Sequence, residues 1–296
     1  MSNSTSRQFH HVIKSIFYKI PMDGNLVSEL ISNELLSKKP VMIARFGSVE
    51  IKAILYPYIP LIIRTLFKKR IFENMFISAG FFPCNDTNIL RFSAMMIEDM
   101  KLLDILGSWR IEERFLEKYY PKAKRVKLRN LEPYFQEFPW SINLKDKKVL
   151  VVHPFNITIE SQYHSNRDNL FENPNVLPVF QSLQTIKAVQ TIVGTNSRFE
   201  TWFDALNFMK SEIDKKDFDV AIIGCGAYGF PLAAHVKRMG KKSIHLGGAT
   251  QILFGIKGKR WLENKSFDHI INEHFVFPNE ADKVDNYQLM EGGAYW

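Results

Sequence analysis

Short runs of unbroken apolar residues punctuate the chain: Val41-Met42-Ile43-Ala44, Val149-Leu150-Val151-Val152 and Val220-Ala221-Ile222-Ile223. Runs of this length, apolar on both faces, predict parallel strands covered from both sides. Between them apolar residues recur at helical spacing. Leu26, Leu30, Ile31 and Leu35 predict an amphipathic helix over 25–37, and further helices are expected from Ser48, over 56–70 after Pro57 and Pro60, over 87–103, 111–120, from near Thr158, over 199–212 and over 230–239. More strands are expected at 104–109, 125–128, 185–191 and 243–246, with a strand or loop at 76–82. The alternation predicts an α/β fold: a Rossmann-like, doubly wound, mostly parallel sheet with helices on both faces. It runs from residue 25 to 296 as one domain, with two halves meeting near 141–148.

Residues 1–24 read as an N-terminal extension. Phe9, Ile13, Ile16, Phe17 and Ile20 share a helical face beside Lys14 and Lys19, the pattern of a short amphipathic helix able to touch a membrane or a partner. The segment lacks the continuous apolar core of a signal peptide, and the apolar run 59–67 is broken by Arg64 and too short to span a bilayer. With 46% hydrophobic content the chain can bury a large core, which excludes a disordered protein. Its 39 basic against 31 acidic residues, a formal charge of +8, favour anionic partners, although each basic cluster is ordinarily a solvated face. Cys84 and Cys225 lie far apart, so neither a disulfide framework nor a zinc site is expected, and a cytoplasmic protein is.

In an open α/β sheet ligands bind beyond the carboxyl ends of the strands, so the residues closing each strand carry the candidate chemistry. The first closes on Arg45-Phe46-Gly47-Ser48-Val49-Glu50. Arg45 and Glu50 either pair with each other or both face a substrate. The strand over 147–152 closes on His153, a candidate general base or phosphate contact, or a hydrogen-bonded turn residue. Trp109 and Trp140 are candidates to stack on a sugar or base, or to fill core.

The stretch 219–261 carries the densest signal. A strand runs straight into Gly224, Gly226 and Gly229, then a helix with Pro231 in its first turn, then the next strand. Such a unit directs backbone N–H groups and a helix N-terminus at one spot, favourable to phosphate. The spacing Gly224-x-Gly226-x-x-Gly229 matches a dinucleotide fingerprint, but the following strand closes on His245-Leu246-Gly247-Gly248 without the carboxylate that holds a ribose hydroxyl. Beyond it Gly247, Gly248, Gly255 and Gly258 alternate with Gln251, Lys257, Lys259, Arg260 and Trp261, a plausible setting for a diphosphate with its base or sugar.

Taken together, Arg45-Phe46-Gly47-Ser48-Val49-Glu50, Gly224-Cys225-Gly226-Ala227-Tyr228-Gly229 and Gly247-Gly248-Ala249-Thr250-Gln251 through Trp261 resemble the GT-D-type and GT-D-like bacterial glycosyltransferases. The resemblance extends through Leu131-Glu132-Pro133-Tyr134, Val152-His153-Pro154-Phe155 and the terminal Glu291-Gly292-Gly293-Ala294-Tyr295-Trp296. It implies a GT-D-like fold that moves a sugar from a nucleotide donor, a UDP-sugar being expected, onto a glycan or lipid-linked glycan in surface polysaccharide or glycoprotein assembly. It places Arg45, Gly47, Ser48, Gly224, Gly226, Tyr228, Gly229, Gly247, Gly248, Gln251, Lys257 and Arg260 at the donor. Glu50 and His153 become the catalytic candidates.

The family pattern reads Arg-Phe-Gly-Asp-Gly-Glu, its Asp-x-Glu associated with the donor diphosphate and a divalent metal. Here Ser48 replaces the aspartate and Glu50 alone remains as a candidate ligand for Mn²⁺ or Mg²⁺. A serine is a weak, neutral ligand for such ions. Arg45, Lys257 and Arg260 with the glycine-turn amides could carry the diphosphate charge instead. Two rival readings are a dinucleotide-dependent oxidoreductase and a non-catalytic glycan-binding or assembly protein. No nucleic acid is expected as partner, and the expected location is the cytoplasm, with peripheral contact at the inner face of the membrane.

Overall fold

The computed structural model describes residues 24–191, 198–284, 287–289 and 292–296. The amphipathic helix expected near the N-terminus falls outside them. Seven strands form one sheet: β1 (Val41–Ala44), β2 (Ile105–Ser108), β3 (Lys124–Lys127), β4 (Lys148–His153), β5 (Ser182–Lys187), β6 (Val220–Ile223) and β7 (Lys242–His245). Their order is β3-β2-β1-β7-β6-β4-β5, and every neighbouring pair is parallel. Because successive side chains leave a strand on opposite faces, Met42 and Ala44 enter one core while Val41 and Ile43 enter another.

The first core is closed by α2 (Ser48–Leu55), the C-terminal half of α3 (Leu61–Ala79), α4 (Asp86–Met100), α6 (Trp202–Asp214) and α7 (Gly229–Arg238), contributing Ile51, Met75, Phe92, Trp202 and Leu232. The second is closed by α1 (Gly24–Leu36), α5 (Asn156–Asn166) and the short α8 (Ala249–Leu253) through Val27, Ile159 and Ile252. Helices therefore cover both faces, and the central strands β1 and β6 are apolar and buried throughout because neither of their faces meets water, whereas the edge strands β3 and β5 are polar and partly exposed. Trp140 fills this second core, its Nε1–H donating to the Leu131 carbonyl at 3.1 Å.

Three elements differ from the sequence expectation. Residues 76–79 continue α3 rather than starting a strand. The stretch Ile111–Tyr119 is a 3₁₀ helix, set by a bond network in which the Glu113 carboxylate accepts from the backbone N–H groups of Trp109 and Arg110 (3.1 and 3.0 Å). Strand β5 begins three residues earlier than expected, at Ser182, because its ladder is fixed by β4 along its whole length. A short helix, α9 (Lys259–Leu262), precedes the irregular tail.

Connections leaving β1 and β4 run to opposite edges of the sheet. The strand ends between them form the opening where such folds take ligands. Register brings Val152, Ile223 and His245 into one row, so Arg45, Gly224 and His153 surface together at that edge.

Candidate functional site

A cleft of about 200 Å³ lies over the carboxyl ends of β1, β7, β6 and β4. Arg45, Gly47, Ser48, Glu50, His153, Gly224, Gly226, Tyr228, Gly247, Gly248, Gln251 and Arg260 all line it, gathered from four segments that lie far apart in the sequence. Two sequence candidates do not. Lys257 is drawn outward because Ile256 bridges Val276: its N–H donates to the Val276 carbonyl (2.8 Å) and its ammonium lies 5.4 Å over the Phe277 ring. Gly229 lies behind the wall, where the His245 imidazole occupies the space a side chain would need.

Arg45 is held by its surroundings. Its Nε and Nη2 donate to the Phe46 carbonyl (3.2 and 3.1 Å), and its guanidinium lies 5.0 Å over the Trp109 ring. Trp109 donates to the same carbonyl through Nε1 (2.9 Å), so it anchors the arginine and lines the cleft. Burial lowers the guanidinium pKa from its ordinary value and Arg260 adds to this, while Glu50, Tyr295 and Glu132 oppose it. An arginine starts so high that it remains charged. Gly247 takes a φ of +63°, which a side chain rarely adopts, and a Cβ there would stand 3.2 Å from Arg45 Nη1. The turn therefore brings backbone close to the cation.

Glu50 sits in the first turn of α2, its carboxylate folded over the Gly47 backbone. A negative group is favoured there by the helix N-terminus. Among the described residues no three His, Cys, Asp or Glu side chains gather as a metal-binding group. Serine at position 48 adds only a neutral hydroxyl, a weak ligand for a divalent ion, beside the Glu50 carboxylate.

His153 is buried, and its Nδ1 accepts the Phe155 N–H at 3.0 Å. The remaining proton of the neutral ring is thus on Nε2, making His153 a donor on its other side. Burial drives its pKa down to about 3. The general-base role considered from sequence conflicts with this arrangement, because the basic nitrogen is already engaged. His245 has the opposite tautomer: Nδ1–H donates to the Ile223 carbonyl (3.1 Å), leaving Nε2 as an acceptor, and burial followed by Arg45 brings its pKa to about 3. The rule that singled out Arg45 and His153, a polar residue closing a buried strand, applies equally to His245.

The C-terminal tail completes the cleft. Gln251 Nε2 donates to the Tyr295 carbonyl and Arg260 Nη1 to the Tyr295 hydroxyl, both at 2.7 Å. Trp296 packs edge-on against Phe155, with centroids 5.3 Å apart. Tyr295 and Trp296 are both wall residues. Gln190 Oε1, Gln251 Oε1 and Trp296 Nε1, all on cleft residues, and the adjacent Thr250 Oγ1 are buried without a hydrogen-bond partner among the described residues. Native proteins rarely leave such groups unpaired unless a ligand or water serves them.

Glu132 is a further residue outside the sequence selection. Burial raises its pKa to about 7 despite the Tyr134 hydroxyl bond (2.9 Å) and the nearby Arg129, Arg45 and Arg260. Its linkage sign is opposite to that of the histidines. Between pH 4.5 and about 7 the folded state holds the Glu132 proton more tightly, so stability from this group falls as pH rises through that window. For His153 and His245 the unfolded chain binds the proton first, so their contribution is complete above about pH 6.5 and is lost as pH falls toward about 3. A His153→Asn variant keeps an acceptor for Phe155 and removes the titration. Its melting temperature should fall less than wild type on acidification, with up to about 2 kcal/mol spared near pH ~5. Parallel acid-melting curves for the two proteins would refute the buried-neutral assignment.

No family model matches the chain, and no curated protein matches it. Two solved structures are similar to it. A new glycosyltransferase (DUF1792) from Streptococcus sanguinis is 15% identical, over 88% of this chain and 95% of that one, with a TM-score of 0.43. A selenomethionine-substituted structure of domain of unknown function 1792 is 10% identical, over 88% and 96%, with a TM-score of 0.39.

Proposed function

We propose that the chain is a glycosyltransferase whose cleft binds a nucleotide-sugar donor, a UDP-sugar being the reading its motifs favour. The observation carrying this is the meeting of Arg45, Arg260 and the 224–226 and 247–248 turns with two buried amide oxygens and an indole N–H that have no partner among the described residues, all in one cleft. Two guanidiniums beside the turns at Gly226 and Gly248 suit a diphosphate, and the amide oxygens and indole N–H suit a sugar or base.

In the proposed reaction the bond between the anomeric carbon and the diphosphate oxygen breaks while an acceptor hydroxyl attacks that carbon. Negative charge grows on the leaving diphosphate, where Arg45 and Arg260 stabilise it without a metal ion. The Glu50 carboxylate takes the acceptor proton, and His153 donates through Nε2 to a donor oxygen. A hexosyltransferase acting on a glycan or lipid-linked glycan in surface polysaccharide or glycoprotein assembly, in the cytoplasm, is the setting that fits.

The dinucleotide reading has less support. At the ribose position beyond β7 the structure offers His245 and backbone, and Gly229 accommodates the His245 ring. The replacement by Ser48 keeps a non-catalytic binding protein as the second reading. A thermal-shift series with UDP-, GDP-, dTDP- and CMP-sugars and NAD⁺, each with Mn²⁺ or chelator, separates these. At about 100 times Kd the right donor should add about 2.7 kcal/mol of stability, unchanged by chelator. Stabilisation by NAD⁺ alone would end the transferase proposal. Binding without release of nucleotide in the presence of glycan acceptors would favour the non-catalytic protein.

A further inference from the structure

The N-terminal half of α3 leaves the body of the protein apolar side out. Leu61, Ile62 and Leu66 are 68%, 82% and 76% exposed, and Phe67 and Phe115 are exposed as well, on the walls of a neighbouring groove. The helix is separated from the 3₁₀ segment Ile111–Tyr119 by an open groove of about 580 Å³ lined by apolar groups with Lys52, Arg70 and Lys118 among them. Residues 61–72 contain Arg64, Lys68, Lys69 and Arg70 and no carboxylate; Asp86 pairs with Lys68, and Glu73 lies 3.9 Å from Lys69 across an exposed pair that water screens, so the cations remain in excess. An exposed apolar patch of this extent marks an interaction site. Large aliphatic groups at a helix tip, followed one turn on by cations and flanked by aromatic rings, match the layering of an anionic bilayer: acyl chains, then headgroup phosphates. A two-fold contact with a second copy would bring like cations face to face.

We infer that α3 is a membrane-docking element: Leu61, Ile62 and Leu66 enter the interfacial layer of an anionic lipid surface while Lys69 and Arg70 meet its phosphates. The other end of the same helix, Ser78 and Ala79, lines the cleft. At 1.5 Å rise per residue the docked tip stands roughly 25 Å from the site. A surface-bound acceptor could approach the cleft along that helix. The inference rests on the patch itself and is independent of which donor the cleft takes.

Co-sedimentation of the full chain with vesicles of phosphatidylcholine, alone or mixed with phosphatidylglycerol, tests it. Binding should be about tenfold stronger on the anionic vesicles and weaken with salt. The double variant Ile62→Glu, Leu66→Glu should bind either vesicle about tenfold more weakly or worse, and Lys69→Glu, Arg70→Glu should lose the preference for phosphatidylglycerol. Donor-induced thermal shifts measured in solution should stay at wild-type size in both, which separates this result from the fate of the donor proposal. If the glutamate pair melts early, Ile62→Ser with Leu66→Ser replaces it. Unchanged sedimentation of the folded variants overturns the assignment. So does absence of wild-type binding, or a wild-type dimer that Ile62→Glu, Leu66→Glu converts to monomer.

Discussion

Replacing Arg45 by methionine is expected to weaken nucleotide-sugar binding by about 100-fold or more while costing the fold only about 1 kcal/mol. Charge-assisted hydrogen bonds to a desolvated diphosphate are worth about 1.5–3 kcal/mol each, and a guanidinium commonly makes two. The small folding cost follows from the local bonding. The Phe46 carbonyl that accepts from Arg45 also accepts the Trp109 indole N–H, so it keeps a partner in the variant. Methionine has nearly the length to remain on the Trp109 face, where the guanidinium now lies. Arg45→Lys sharpens the test: it retains charge but cannot both hold the Phe46 carbonyl and fork onto a phosphate, so an intermediate loss of about tenfold is expected. Titration calorimetry with the donor selected by thermal shift, beside melting curves, measures both. Wild-type affinity in a stably folded Arg45→Met would remove the diphosphate from this end of the cleft.

The centre of the sheet was readable because β1, β4 and β6 are buried on both faces, and continuous apolar runs such as Val41-Met42-Ile43-Ala44 have few other uses. Strand ends then located most of the cleft, since fold topology alone sends Arg45, His153 and the 224–226 turn to one edge. What sequence could not supply was orientation. Lys257 sits in the same basic, glycine-rich stretch as Arg260, and only the Ile256–Val276 bridge decides that one faces outward and the other the cleft. Likewise the tautomers of His153 and His245 depend on whether a backbone N–H or a carbonyl lies within reach, which no spacing encodes. Glu132 was hidden for a related reason, because its environment is assembled from Arg45, Arg129, Tyr134 and Arg260.

Gly229→Ala should destabilise the protein by about 3 kcal/mol, lowering its melting temperature on the order of 5 °C or more. The backbone is not the cause: Gly229 has φ −63° and ψ −45°, ordinary helical values, and in an open helix alanine would be favoured by up to about 1 kcal/mol. The obstacle is His245. A Cβ on residue 229 would fall within the imidazole, 2.7 Å from Nε2 and closer still to Cε1 and Nδ1. The ring cannot swing away cheaply, being buried and tied to the Ile223 carbonyl. Adding His245→Ala should therefore rescue the variant, with a coupling of about 1–3 kcal/mol between the two sites. The Ile223 carbonyl survives this second change, since the Leu246 and Gly247 N–H groups also donate to it at 3.1 and 3.3 Å. Urea melts of the four proteins give the cycle. If position 229 were glycine so that a phosphate could approach, as the fingerprint spacing suggests, Gly229→Ala would melt at or above wild type and lose ligand affinity, and His245→Ala would restore nothing. A coupled loss of stability instead identifies the third glycine of that spacing as the counterpart of a buried histidine.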